Sequence, residues 1–126
     1  MTRFRAWDNK NGKMIYAGEL YLFVFGCYME KVWIHNVDKN HNILTKDIMQ
    51  STGLIDLNGT EIYEDDIVKM QLRVYDEPEL FVVKTKAGHA ASVDNGTKGS
   101  ELQRHHRHCE VVGNRWENPE LMEVTE

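Results

Sequence analysis

The stretch Gly53-Leu54-Ile55-Asp56-Leu57-Asn58-Gly59-Thr60-Glu61-Ile62-Tyr63 sets an Asn-Gly step between two short segments suited to strands, and its reading decides the fold class. Both residues of that step tolerate the positive φ of a type I′ turn, which makes Asn-Gly the strongest short hairpin signal. The step recurs at Asn11-Gly12 and Asn95-Gly96. Around Asn11-Gly12, Arg3-Phe4-Arg5-Ala6-Trp7 alternates in polarity and Met14-Ile15-Tyr16 follows. That pattern predicts a hairpin with its turn in residues 8–13.

Working outward, Leu20-Tyr21-Leu22-Phe23-Val24-Phe25 is apolar on both faces of a strand, with Leu20, Leu22 and Val24 on one side and Tyr21, Phe23 and Phe25 on the other. Aromatic enrichment and Gly26 favour that strand, although Leu20, Phe23, Val24, Cys27 and Tyr28 also fall near helical spacing. Both faces of such a strand need cover, from its own region, from the rest of the chain or from another subunit. Lys31 to His35 reads as the next strand and Asp38 to Asn42 as a loop, while Ile43 to Gln50 fits a short helix or a strand. Asp66–Met70, Leu80–Lys84 and Cys109–Gly113 read as β segments, with a turn at Asp76 to Glu79. Residues 86–104, rich in Gly, Ala, Ser and Asn, are expected to form a mobile surface loop. Asn118-Pro119, followed by Glu120 and Glu123, has the form of a helix start and predicts one C-terminal helical turn. The expected fold is mainly β with at most short helical turns, and an α+β chain is the alternative.

The 126 residues are 41% hydrophobic and 28% charged, which excludes a disordered tail or a disulfide-stapled miniprotein. A chain of this length hides about two thirds of its extended surface, enough for an ordinary core. The formal charge is -5, and it is uneven. Residues 1–50 hold seven basic and five acidic side chains, whereas residues 51–126 hold eight and fifteen. Broad nucleic-acid binding is disfavoured, because phosphate contacts depend on Lys and Arg, and any such contact would fall to the first region. Two well-separated cysteines, Cys27 and Cys109, and a start lacking a secretory apolar region predict a reduced, cytoplasmic protein. The longest apolar run, Leu20 to Met29, is about half of a bilayer span, so no membrane segment is expected.

Several residue types could carry chemistry. His105-His106-Arg107-His108-Cys109 holds three imidazoles and a thiol. Extended, it would send His106 and His108 to one face and His105 and Cys109 to the other, so two ligands at most could meet one ion. The spacing matches no standard zinc pattern, and a solvated strand edge is the expectation. Cys109 beside histidines along a strand lacks the convergence a thiol nucleophile needs. Glu61, Glu64, Asp65 and Asp66 could hold magnesium or perform acid–base work, yet they read as a solvated turn into the strand starting at Asp66. No nucleophile elbow, phosphate loop, HExxH or CxxC accompanies them. Of Trp7, Trp33, Trp116, Tyr16, Tyr21, Tyr28, Tyr63 and Tyr75, only Trp7 has flanking cations, Arg3 and Arg5, of the kind a base-stacking platform uses. Core or subunit packing is the preferred role for these rings. No catalytic, cofactor-binding or metal residue is assigned, and no cofactor is expected.

Three stretches together resemble the YopX-like family of phage and prophage proteins. They are Arg3-Phe4-Arg5-Ala6-Trp7-Asp8 with Lys13-Met14-Ile15-Tyr16, then Met49-Gln50-Ser51-Thr52-Gly53-Leu54 running through Asn58-Gly59-Thr60-Glu61-Ile62-Tyr63-Glu64-Asp65-Asp66-Ile67-Val68, and finally Glu110-Val111-Val112-Gly113-Asn114 with Glu117-Asn118-Pro119-Glu120-Leu121. In series they span nearly the whole chain, and Gln71 to Arg107 matches nothing firmly. The resemblance implies an N-terminal β region over 1–50 and a small C-terminal β-barrel over 51–126. It also implies a protein encoded on phage-derived DNA and working inside the bacterial cell, with no established activity and no recognised catalytic residues. Members often carry glycine where this chain has Asp65, a position at which aspartate still tolerates left-handed backbone. The expected function is therefore that of a non-enzymatic accessory protein that associates with its own copies and binds a phage or host protein. A small-barrel nucleic-acid binder using Arg3, Arg5, Trp7 and neighbouring lysines is the alternative.

Overall fold

The computed structural model describes residues 3–18, 20–25, 31–85 and 90–122. Gly26, Cys27, Tyr28, Glu123 and residues 86–89 lie outside the described residues. The fold is mainly β, as the hairpin signals predict: three antiparallel sheets, one curled as a half-barrel. Among the described residues the helical pieces are short 3₁₀ turns, the longest being Pro119–Met122. By its contacts the chain falls into two compact units, Met1–Gln50 and Ser51–Glu126.

In the first unit, β1 (Phe4–Asp8) pairs with β2 (Lys13–Tyr16) in antiparallel register, Trp7 opposite Met14. The turn between them is made by side-chain chemistry. The Asp8 carboxylate accepts from the amides of Lys10 and Asn11 and from the Asn11 side chain, while Gly12 takes a φ of 64°. A second sheet runs β3 (Tyr21–Phe25), β4 (Val32–Asn36), β5 (His41–Thr45), with β4 in the middle. Ala6, Ile15, Val32 and Ile34 are buried together, with Tyr21, Phe23, Phe25, Ile43 and Ile48 packed on them. The ambiguous Ile43 to Gln50 is extended throughout except for a break at Lys46 and Asp47, where the Asp47 carbonyl takes the Trp7 amide.

β6 (Ile48–Ile55) contributes to both units. Its first residues pair with β1, Gln50 opposite Phe4, and its later ones with β7 (Glu61–Tyr63), Ile55 opposite Glu61. The second unit continues through β8 (Asp66–Met70), β9 (Glu79–Lys84), β10 (Ser92–Asp94), β11 (Gly99–Glu101) and β12 (Glu110–Asn114). The sheet order is β11-β10-β9-β8-β12. Its core is Ile62, Val68, Met70, Phe81, Val83, Val93, Leu102 and Cys109.

Two local expectations are corrected. The segment 86–104 is not a plain surface loop over its described part. β10 and β11 form a hairpin there, turned by Asn95-Gly96 with Gly96 at φ 90°, and Val93 and Leu102 enter the core. The low apolar content misled because two buried side chains suffice to anchor so short a hairpin. Nor is His105–Cys109 extended. Leu102–Arg104 and His106–His108 are successive 3₁₀ turns, a compact connection that lets Leu102 and Cys109 both reach the core.

Candidate functional site

Alternation along β3 and β4 sorts their side chains onto two faces. Tyr21, Phe23 and Phe25 turn inward against Val32 and Ile34, so that half of the β3 surface is covered within its own unit. The other half is open. Leu22 is 53% exposed, Val24 59%, Trp33 52% and Leu44 45%. Strand register puts three of them in one row, since Val24 pairs with Trp33 and Trp33 with Leu44. Beside that row, Leu22 pairs with His35 and His35 with Asn42, whose side chains hydrogen-bond at 2.7 Å. Leu20 and Val37 extend the apolar surface at one end, held together by the Val37 amide donating to the Leu20 carbonyl at 2.9 Å. The sequence identified this face through the double-sided β3 pattern. What it lacked was the register that brings Trp33 and Leu44 alongside.

The histidine segment forms a second cluster. A 3₁₀ turn repeats every three residues, and the His108 amide donates to the His105 carbonyl at 3.0 Å, so these two rings come together. His105 Nδ1 lies 3.0 Å from His108 Nε2, and His105 Nε2 lies 3.0 Å from Ser100 Oγ on β11. Burial lowers the His105 pKa from its ordinary value, with the neighbouring His108 and Arg104 acting in the same direction. His106 turns elsewhere, its Nδ1 against the Ile55 carbonyl at 2.8 Å. Cys109 is buried, its Sγ directed to the His106 carbonyl. Burial, and then the charge of Asp56, push its thiol up to about 11, so the thiolate that would act as nucleophile or ligand is suppressed at neutral pH.

The acidic group forms the expected turn into β8, but its carboxylates are not simply solvated: Asp66 is buried and the other three are half-buried. Asp66 is buried and accepts from the Tyr63 amide at 2.7 Å, closing the turn from β7 to β8. Asp65 occupies the left-handed region at φ 71° and accepts from Trp116 Nε1 at 3.2 Å. Glu64 accepts from the Thr85 hydroxyl and Glu61 from that of Ser51. Arg5, expected on a stacking platform with Trp7, is 2% exposed and lies between Tyr16, whose hydroxyl it meets, and Met49. That burial removes it from contact with a polyanion.

Sequence reasoning passed over Asp56 and assigned no contact to Asn114. Asp56 accepts from the amides of Asn58 and Thr60 inside its own hairpin and from that of Val111 on β12. Asn114 accepts from the amides of Trp116 and Glu117 and donates to the Glu117 carboxylate. Asn118, read as a helix cap, turns its oxygen upstream to the Asn114 amide, and Pro119 opens the 3₁₀ turn as expected. An Asp two residues before Asn-Gly was the one available signal, since such side chains bond backbone amides just ahead of them.

The family model described as YopX protein matches residues 3–123. Two solved structures share the fold. Protein EF1440 from Enterococcus faecalis is 22% identical with a TM-score of 0.65, over 98% of this chain and 99% of that one. Protein yopX from Bacillus subtilis is 20% identical with a TM-score of 0.69, over 96% and 98%. No curated protein matches the chain. Among the described residues no helix is long and apolar enough to cross a membrane.

Proposed function

The chain belongs to the YopX family, and on that premise we propose that it is a non-enzymatic accessory module that binds protein and associates with its own copies through the outer face of β3, β4 and β5. The phage or prophage setting and a place inside the bacterial cell are part of the same reading, carried by the family resemblance. The single observation behind it is the in-register row Val24, Trp33 and Leu44, flanked by Leu20, Leu22 and Val37, each open to water. Contiguous apolar surface of this kind is uncommon on a monomer. A central tryptophan among aliphatic neighbours is also the composition of an interface hot spot. The row together with Leu20, Leu22 and Val37 exposes roughly 600 Å² per copy, so a two-fold pair that covered all six would bury about 1,200 Å², the lower end of specific interfaces. Among the described residues β3 and β5 are the edges of this sheet, which adds strand surface on which a partner can align.

The non-enzymatic part is supported by where the reactive groups are: a protonated, buried Cys109 thiol and four carboxylates each holding a turn or a neighbouring side chain. Light scattering over a range of protein concentrations tests the association. The expected result is more than one copy for the wild type and a smaller species for Trp33→Glu. A wild type that stays monomeric throughout would overturn the self-association, and a pull-down from phage-bearing cells then tests whether a different protein takes the face.

A further inference from the structure

Ser100, His105 and His108 have no part in that interface, and they bring two imidazoles and a hydroxyl together. Successive 3₁₀ turns eclipse residues three apart. The two rings sit with centroids 5.1 Å apart, and one nitrogen of each faces the other across 3.0 Å. With metal–nitrogen bonds of about 2.0–2.1 Å, two ligands at right angles around one ion are about 2.9 Å apart and two tetrahedral ligands about 3.4 Å. The observed separation is that of an N–H···N hydrogen bond and also lies close to the right-angled pair, which the rings reach by turning until both lone pairs converge.

We propose that His105 Nδ1 and His108 Nε2 form an open two-imidazole chelate for a divalent copper ion, with water in the remaining positions. The Ser100 hydroxyl supplies the outer contact such ligands use: by accepting from His105 Nε2–H it fixes the tautomer in which the Nδ1 lone pair points toward His108. Without an ion, His108 Nε2–H donates to that lone pair. With one, the His108 proton resides on its Nδ1 and both lone pairs face the ion, a tautomeric change that releases no proton. Adjacent positions at a right angle suit the tetragonal preference of Cu(II), which also heads the affinity order of the first-row divalent ions for imidazole. Among the described residues no third His, Cys, Asp or Glu completes a closed site, so the ion would be exchangeable. Cys109 and His106 are excluded by their own contacts, with the His106 carbonyl and the Ile55 carbonyl. Arg104, drawn toward Glu101 at 4.0 Å, is a neighbouring cation that moderates the affinity.

The test is titration of the tag-free full chain with copper(II) chloride, followed by calorimetry and electron paramagnetic resonance. The expected result is one ion per chain whose spectrum carries coupling to two imidazole nitrogens. His108→Gln, at an exposed position, should weaken binding at least tenfold, and so should His105→Gln. His106→Gln should stay within about twofold, and nickel(II) should bind more weakly than copper. Circular dichroism matching the wild type verifies the fold of each variant, and His108→Gln is decisive if His105→Gln unfolds. No binding by the wild type, binding by His108→Gln within twofold of it, or a spectrum with fewer than two imidazoles would overturn the proposal.

Discussion

The Asp56 carboxylate accepts a hydrogen bond from the Val111 amide at 2.9 Å, joining residues 55 positions apart. Its other oxygen takes the amides of Asn58 at 2.8 Å and Thr60 at 2.9 Å. One side chain, 4% exposed, therefore both shapes the Asn58-Gly59 hairpin and ties it to β12.

Asp56→Ala would leave three amides without that acceptor. Hydrogen bonds to a charged group contribute about 1.5–3 kcal/mol each, and unpaired buried donors cost similar amounts, so the expected loss is about 3 kcal/mol. Urea denaturation should show the midpoint falling at unchanged slope. A loss under about 1 kcal/mol would mean that Asp56 is not the tie described.

Gly113 lies against Asn118. A Cβ there would stand 2.5 Å from Asn118 Oδ1 and 3.1 Å from Asn118 Cβ. Gly113→Ala should cost roughly 1–3 kcal/mol, the usual range for forcing atoms into filled space. Combined with Asn118→Ala it should cost less than the two single losses added together, because the shorter part of the clash is then gone. Strict additivity of the pair in thermal unfolding would contradict this contact.

Asp65 combines a left-handed backbone with a hydrogen bond from Trp116 Nε1. Alanine loses the hydrogen bond and keeps the strain, whereas glycine loses the hydrogen bond and relieves it. Asp65→Gly should therefore be more stable than Asp65→Ala by about 1 kcal/mol. Chemical denaturation of the two variants side by side reads the difference directly, and equal stabilities would argue against backbone strain at this position.

The Cys109 thiol should resist modification. In a Cys27→Ser background, a thiol reagent at pH 8 should label Cys109 only after denaturant is added, because burial holds the group in its protonated form. The linkage has a definite sign. The folded value, about 11, lies above the reference value of 9.0, so the contribution of this group to stability is complete below pH 9 and declines as pH rises toward 11. Prompt labelling of the native chain at pH 8 would contradict the burial.

Hairpins were the most legible part of the fold, because Asn-Gly marks a turn locally: Gly12, Gly59 and Gly96 all take positive φ, but Asn11, Asn58 and Asn95 do not, so the turns are not of the expected type I′, which needs positive φ at both residues. The exposed β3 face was legible as an excess of apolar residues, but Trp33 and Leu44 joined it only through strand register, which alternation within one strand does not encode. The histidine segment was misread for a related reason. Its polarity suits a strand edge, whereas the chain from Leu102 to Cys109 winds through two 3₁₀ turns between two side chains that share one core. Asp56 was missed because the partner that gives it weight, Val111, is remote in the chain.

The three Asn-Gly turns carry a chemical liability as well as a shape. Asn-Gly is the dipeptide at which proteins most readily deamidate, through attack of the glycine amide nitrogen on the asparagine side chain. Here each of those nitrogens is engaged, Gly12 with the Asp8 carbonyl, Gly59 with the Asp56 carbonyl and Gly96 with the Asp94 carboxylate. Slow ageing in solution should thus track the opening of the turns, and an isoaspartate found at one of them would be a record of where the chain had come loose.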